Sequence, residues 1–370
     1  MINVLEAIRQ WGPGSRTWWQ NQLSGATDPI TDAGWGEGHV RKGFFTDTSI
    51  CIGCKACEVA CKEWNRVPAR TASEHGGQML GSSYDNTGHL GADTWRHVAF
   101  IEQGPDQLVR ARESGAALSK PVSLGMPTRR RADEQDAPSP PAGGVPHASM
   151  LATEPVGLPA VRWLMSSDVC KHCTHAGCLD VCPTGALFRT EFGTVVVQAD
   201  VCNGCGYCVA SCPFGVIGRR EDGIVELAPA HDGKEAVTAK VLNGGVAQKC
   251  TLCYDRLVDG MTPACAQTCP TTSIKFGDHS DMVAKARERL AELHAQGHTE
   301  ARLYGANPDD GVGGTGSVFL LMDDPEVYGL PPDPVVTTHD LPKMFTMAGI
   351  AGTAMLSVVL SMFVGHGRMQ

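Results

Sequence analysis

Residues 345–364, FTMAGIAGTAMLSVVLSMFV, carry no charged side chain. A helix of about 20 residues at ~1.5 Å per residue spans ~30 Å, the thickness of a bilayer's hydrocarbon core. Uniform apolarity and a Pro-rich approach (PPDP, then Pro342) favour a membrane anchor over a buried core helix. Ala348 and Gly352 offer a small-residue face for packing on another membrane helix, while Lys343 and Arg368 place one positive charge on each side and leave the direction of crossing open. A helical period marks residues 281–296: Val283, Ala286, Leu290 and Leu293 share one face, Ser280 stands at the N-cap position and Gly297 just past the end. His97 to Ile101 and Val161 to Met165 read as partner strands, and Ala186 to Asp200 as a short hairpin turning at Phe192 and Gly193. Between the first two strands, residues 105–158 are polar and rich in Pro and Gly, too poor in large apolar residues to fold alone; a long surface insertion into a hairpin is expected. Residues 1–45 read as an irregular arm with a short helix, Val4 to Trp11, stopped by Gly12, Pro13 and Gly14. Trp18 and Trp19 in that arm suit either a partner or the arm's own packing.

The cysteines change this picture most. All sixteen fall into four blocks of four. The first is Cys51-x2-Cys54-x2-Cys57-x3-Cys61, followed by Lys62; the second is Cys170-x2-Cys173-x4-Cys178-x3-Cys182-Pro183. The third, Cys202-x2-Cys205-x2-Cys208-x3-Cys212-Pro213, is letter for letter the run by which bacterial ferredoxins hold cubane clusters, the fourth Cys reaching to the other cluster. The last is Cys250-x2-Cys253-x11-Cys265-x3-Cys269-Pro270. Disulfide scaffolds scatter their cysteines through small secreted domains, and structural zinc sites use paired C-x2-C units, so the spacing selects iron-sulfur clusters. Cysteines at every third position let one tight loop wrap three corners of a cubane, and Gly53 permits close backbone approach with amide hydrogen bonds to sulfur.

The second and third blocks lie close enough in sequence to exchange fourth ligands. One set is then Cys170, Cys173, Cys178 and Cys212, and the next is Cys182, Cys202, Cys205 and Cys208. The first and fourth blocks are left to each other, giving Cys51, Cys54, Cys57 and Cys269 on one cluster and Cys61, Cys250, Cys253 and Cys265 on another. We call these sets A (Cys51, Cys54, Cys57, Cys269), B (Cys61, Cys250, Cys253, Cys265), C (Cys170, Cys173, Cys178, Cys212) and D (Cys182, Cys202, Cys205, Cys208). The fold class expected is α+β: two nested, loop-rich, bacterial-ferredoxin-like modules, each for two [4Fe-4S] clusters, and a single C-terminal transmembrane helix. The units are an arm (1–45), an outer module (46–104 with 214–280), the Pro/Gly-rich insertion (105–160), a central module (161–213), a helix and C-terminal extension (281–340) and the anchor (341–370).

The remaining signals are weaker. With 43 Gly and 23 Pro the chain is loop-rich, and its formal charge of -9 grows more negative with bound clusters. The one basic run, Arg129 to Arg131, sits in the Pro-rich segment, so no nucleic-acid face is expected. Gly311-x-Gly313-x-x-Gly316 matches a dinucleotide fingerprint in letters but follows a polar loop and leads into an extended apolar run, so no nucleotide is expected there. His172 and His175 fall inside the second block; with four cysteines available, packing or hydrogen bonding to sulfur is their expected role. Lys249 and Arg256 beside the last block either tune a cluster's potential or are solvated charges. The N-terminus has no basic n-region followed by an apolar h-region, so any export is expected to depend on a partner.

Taken with CIGCKACEVACKEWN, SYDN, CKHCTHAGCLDVCP, CNGCGYCVASCPF, KCTLCYDR, PACAQTCP, GVGGTG and YGLPPDP, the chain resembles the iron-sulfur (beta) subunits of respiratory, membrane-bound molybdenum or tungsten formate dehydrogenases over most of residues 45–365. The cysteine framework alone is shared by beta subunits of many molybdopterin oxidoreductases; the intervening phrases and single anchor narrow it. The resemblance implies an electron-transfer subunit without catalytic residues of its own. Its partners would be a molybdopterin catalytic (alpha) subunit, which oxidises formate, and a membrane cytochrome b (gamma) subunit that passes electrons to quinone. One branch of the wider family replaces a cluster cysteine; all sixteen here imply four [4Fe-4S] clusters. The side of the membrane stays open. The same relay serving another molybdopterin enzyme or a hydrogenase, or a non-redox protein stabilised by metal, are the alternatives.

Overall fold

The computed structural model describes residues 40–67, 88–118, 161–220, 224–226, 238–240 and 244–366. The expected helix Val4 to Trp11, Trp18 and Trp19, Arg129 to Arg131 and the insertion beyond residue 118 lie outside the described residues.

The described strands are, in chain order, β1 (Lys42–Asp47), β2 (Arg96–Gln103), β3 (Arg162–Val169), β4 (Leu187–Arg189), β5 (Val195–Val197), β6 (Gly218–Arg219), β7 (Ile224–Glu226), β8 (Thr238–Lys240), β9 (Ala247–Gln248), β10 (Ile274–Asp278), β11 (Arg302–Tyr304) and β12 (Ser317–Leu321). The helices are α1 (Ala56–Asn65), α2 (Pro105–Leu118), α3 (Gly177–Asp180), α4 (Tyr207–Ser211), α5 (Tyr254–Val258), α6 (Ala264–Gln267), α7 (His279–Ala295) and α8 (Leu341–His366).

A four-stranded sheet of order β10-β1-β12-β11 is the main scaffold. In its middle β1 runs antiparallel to β10 and parallel to β12, so residues near the N-terminal end and the C-terminal extension share one sheet. Strands with neighbours on both edges and packing on both faces read as continuous apolar runs, which is why SVFLL is buried throughout and Phe44 and Phe45 are buried side by side. Helix α7 lies on this sheet through Met282, Ala286 and Leu293. It begins at His279 rather than after a Ser280 cap. Its cap residue is Asp278, whose carboxylate takes a 2.5 Å bond from Lys42 Nζ across the sheet instead of capping the helix.

Strands β2 and β3 pair antiparallel over eight positions, from Arg96 opposite Val169 to Gln103 opposite Arg162, longer than the five-residue pair expected. The insertion between them is not irregular from its start. Residues 105–118 form α2, whose buried stripe is Leu108, Ala111 and Gly115. Two of the three are too small to register as a hydrophobic signal, and the stripe is buried because Gly115 lets α2 abut the backbone at Thr299 and Glu300. The short pairs β4 with β5, β6 with β9 and β7 with β8 complete the pairing. The main core gathers Phe44, Phe45, Val98, Leu252, Ala286 and β12 around Cys57, Cys170, Cys250 and Cys265. A smaller core of Ala176, Leu187, Val195, Cys208, Ile217 and Ala247 lies under the central cysteines. Helix α8 presents exposed side chains from Lys343 to Ser361 and is long and apolar enough to cross a membrane.

Candidate metal centres

Set A is built on the loop from the short 3-10 turn after β1 into α1. Lys55 and Gly53 take left-handed backbone conformations there, and a Cβ on Gly53 would stand 2.7 Å from the Phe100 ring. The close approach expected of this glycine therefore has a physical cause. Cys51, Cys54, Cys57 and Cys269 line an opening of about 300 Å³, mouth included, together with Val98, Ser167 and Ile274. Burial pushes the Cys51 thiol up, the Gly53 N–H that bonds its sulfur opposes this, and Cys57, Cys269 and Cys54 push it further up. Ser167 Oγ stands 3.1 Å from Cys57 Sγ.

Set B gathers around Cys61, one turn beyond Cys57 on α1. Burial raises its thiol well above the usual range, and Cys250, Cys265 and Cys253 add to the shift. These partners come from the other end of the sequence, carried on the loops around α5 and α6. Asn65 Nδ2 bridges the join, 3.7 Å from Cys61 Sγ and 3.8 Å from Cys253 Sγ, 188 residues away in sequence. Leu252, left-handed at φ 61°, donates its N–H to Cys250 Sγ at 3.3 Å. All four cysteines of this set are buried.

Set C lines an opening of about 370 Å³, mouth included, with His172, Val195, Ile217 and Lys249 around Cys170, Cys173, Cys178 and Cys212. Burial lifts Cys178 to about 12, Lys249 opposes the shift, and Cys212, Cys170 and Cys208 add to it. The loop is clamped by the GVGGTG segment. Thr174 and His175 donate their N–H groups to Gly314 O (3.0 Å) and Val312 O (2.8 Å), and a Cβ on Gly313 would collide with the His175 ring at 2.3 Å. Those glycines thus bring a backbone against the cysteine loop. His172 is buried and accepts the Val195 N–H on Nδ1 at 3.1 Å.

In set D, burial raises Cys208 to about 11, with Cys202, Cys182 and Cys205 adding to it. Cys182 goes the other way: partial burial raises it, but the N–H groups of Leu187, Thr184 and Ala186 and the Thr184 hydroxyl bond its sulfur and bring the thiol below the usual range.

Neighbouring sets touch electrostatically: Cys57 acts on Cys265, Cys170 on Cys250, and Cys208 on Cys178. Cys54 of set A and Cys205 of set D are the exposed cysteines. Among the described residues no three His, Cys, Asp or Glu side chains converge closely enough to chelate one metal ion. Instead four soft sulfurs come together in each set, around an opening in A and C. Burial and neighbouring sulfurs push up thiols such as Cys51, Cys61, Cys178 and Cys208, and backbone N–H groups reach sulfurs such as Cys51, Cys182 and Cys250. That donor set fits a cubane cluster.

Lys249 and Arg256 are buried, so the solvated reading of both fails. Lys249 Nζ donates to the carbonyls of Val195 and Cys250, while Arg256 lies 4.1 Å over the Trp64 ring and donates to Thr262 O and Gln267. Sequence reasoning missed Arg96, Ser167 and Asn65, polar residues in ordinary strand and helix contexts that carry no signal until the fold sets them beside sulfur.

A 4Fe-4S dicluster domain model matches residues 161–231 and 235–279. The formate dehydrogenase iron-sulfur subunit of Haemophilus influenzae is 33% identical over 350 residues, covering 92% of this chain and 86% of the relative. The chain belongs to the formate dehydrogenase iron-sulfur subunit family. Two Escherichia coli members, the nitrate-inducible and the formate dehydrogenase-O iron-sulfur subunits, are 34% and 32% identical, covering 79% and 87% of this chain and 73% and 83% of their own. Like them it is an electron-transfer subunit and not a catalytic one, and its sixteen cysteines fit four [4Fe-4S] clusters.

Proposed function

We propose that sets A to D are the ligands of the four clusters, nested as two ferredoxin-like modules, and that the chain carries electrons from a molybdopterin formate-oxidising subunit to a membrane cytochrome b. When bound, the clusters supply one-electron carriers; the chain supplies their spacing, burial and hydrogen bonds. The observation that carries this reading is the Asn65 amide reaching from Cys61 Sγ to Cys253 Sγ, which supports the outer sets as a single unit spanning the central module.

Direction follows from where the membrane helix is rooted. Thr338, just before α8, donates to Asp180 Oδ2 at 2.6 Å, and Asp180 lies between Cys178 and Cys182. Val336 packs on Gly177 in the same place. Sets C and D therefore belong on the membrane side, with residues 345–364 spanning the bilayer against the cytochrome. Electrons enter beside the exposed Cys54 and leave beside the exposed Cys205.

Adding formate to the anaerobically purified complex tests the assignment. EPR signals of all four reduced clusters are expected, and bound cytochrome b reduced after them. Clusters that stay oxidised with formate but respond to another donor would assign the relay to a different enzyme.

A further inference from the structure

Arg96 is the first residue of β2, pairs with Val169 and is 2% exposed. Its Nη1 donates to Ser167 Oγ at 2.9 Å and to Ser167 O at 3.4 Å, and its guanidinium carbon stands 5.0 Å over the Phe44 ring. Nε and Nη2 are buried without a hydrogen-bond partner. Some deeply placed cations meet a carboxylate, as Arg162 meets Glu300, Lys171 Asp168 and Arg220 Asp93, while buried Lys249 and Arg256 have their donors taken by carbonyls and an amide. Arg96 meets no carboxylate among the described residues, and an uncompensated buried charge is among the costliest features a fold can hold.

Its link to sulfur runs through Ser167, and its charge is felt by thiols of both outer sets. Burial alone would weaken its hold on its proton, but the charges of Cys265, Cys57, Cys250 and Cys61 more than offset this. Cys57 belongs to set A and the other three to set B, so the guanidinium charge acts on both sets. Ser167 extends it towards A, since the hydroxyl that accepts from Nη1 also lies 3.1 Å from Cys57 Sγ.

We infer that Arg96 is the shared counter-ion of sets A and B, a positioning residue whose fixed charge raises the reduction potentials of both clusters and leaves its two unpaired N–H groups for their sulfur. This rests on the ligand sets proposed above. An added electron beside a buried cation is stabilised, and more strongly in a low-dielectric interior than in water. With the cation shared, the first two carriers are set together while C and D are tuned separately.

The test is an EPR-monitored redox titration of the whole complex carrying Arg96→Gln, with Arg96→Lys beside it. Signals are assigned beforehand from Cys54→Ser for A, Cys253→Ser for B and Cys205→Ser for D. A mistaken ligand set shows in those variants, and a mistaken role for Arg96 only in the arginine pair. In R96Q the clusters of A and B are each expected to become harder to reduce by at least about tenfold in equilibrium constant, ~59 mV for one electron, with C and D moving less. In R96K all four stay near wild type. Unmoved A and B in R96Q overturn the inference. Should R96Q fail to load its outer clusters or shift all four alike, R96K decides: loading at wild-type potentials supports a requirement for charge, and failure in both shows that shape and packing matter instead.

Discussion

The inner and outer sulfur sets use similar cysteine spacings, and the fold supports them by different means. The inner sets rest largely on a small core of their own, with the β4–β5 hairpin as filler between their two blocks, although Cys170 of set C is shared with the main core. In set D the sulfurs are set by turns and N–H groups a few residues away, as at Cys182, and the set C loop is clamped besides by Val312 and Gly314. The outer sets have no local unit. Cys57, Cys250 and Cys265 belong to the main core, and the segments bearing them are brought together by a sheet whose middle strands come from residues 42–47 and 317–321. An iron-sulfur loop can thus be encoded locally, whereas the segments that bear the first and last cysteine blocks are brought together by long-range sheet pairing and by Asn65 reaching both Cys61 and Cys253.

The largest effect that would break this contrast is expected at Gly313. Its φ of +70° and the 2.3 Å approach of a Cβ to the His175 ring make Gly313→Ala costly. Left-handed strain and overpacking together come to about 2–4 kcal/mol. The Cys170 to Cys178 loop should loosen, and thermal bleaching of cluster absorbance should show the inner clusters lost at lower temperature while the outer ones keep their midpoint. If all four fall together, the two units are not independently supported.

Lys249 sharpens the comparison at the boundary. Its buried ammonium lies beside the opening of set C and next to Cys250 of set B. Lys249→Met should lower the potential of the C cluster by about tenfold in equilibrium constant, ~59 mV, and move A least. The smallest effect is expected at Ser167, whose hydroxyl touches Cys57 alone among the cysteines with a described bond to it. Ser167→Ala should make the A cluster a few-fold harder to reduce in the same titration, with C and D unchanged.

Much of this was legible in the sequence. The four blocks and the cluster type can be read from spacing because three sulfurs on one tight loop are a local requirement, while the family is read from the phrases between the blocks. The α7 face and the hairpin at Phe192 and Gly193 are legible because their periods are local too. The main sheet was not: KGFFTD is six residues without alternation and gains its strand identity only from neighbours on both edges. Helix α2 hid behind small residues. The GVGGTG segment looked like a nucleotide fingerprint in the wrong place, and its use of glycine against His175 depends on a contact between residues far apart in sequence. Arg96, Lys249 and Arg256 carry charges that read as solvated or ambiguous until the fold encloses them.

Cys61→Ser tests the central claim most directly, because Cys61 stands in the first block and its sulfur neighbours in the last. Iron, acid-labile sulfide and EPR on the anaerobically purified complex should show loss or conversion of the single cluster on Cys250, Cys253 and Cys265, with C and D intact. Survival of that cluster, or loss from the central pair in its place, would contradict the nested arrangement.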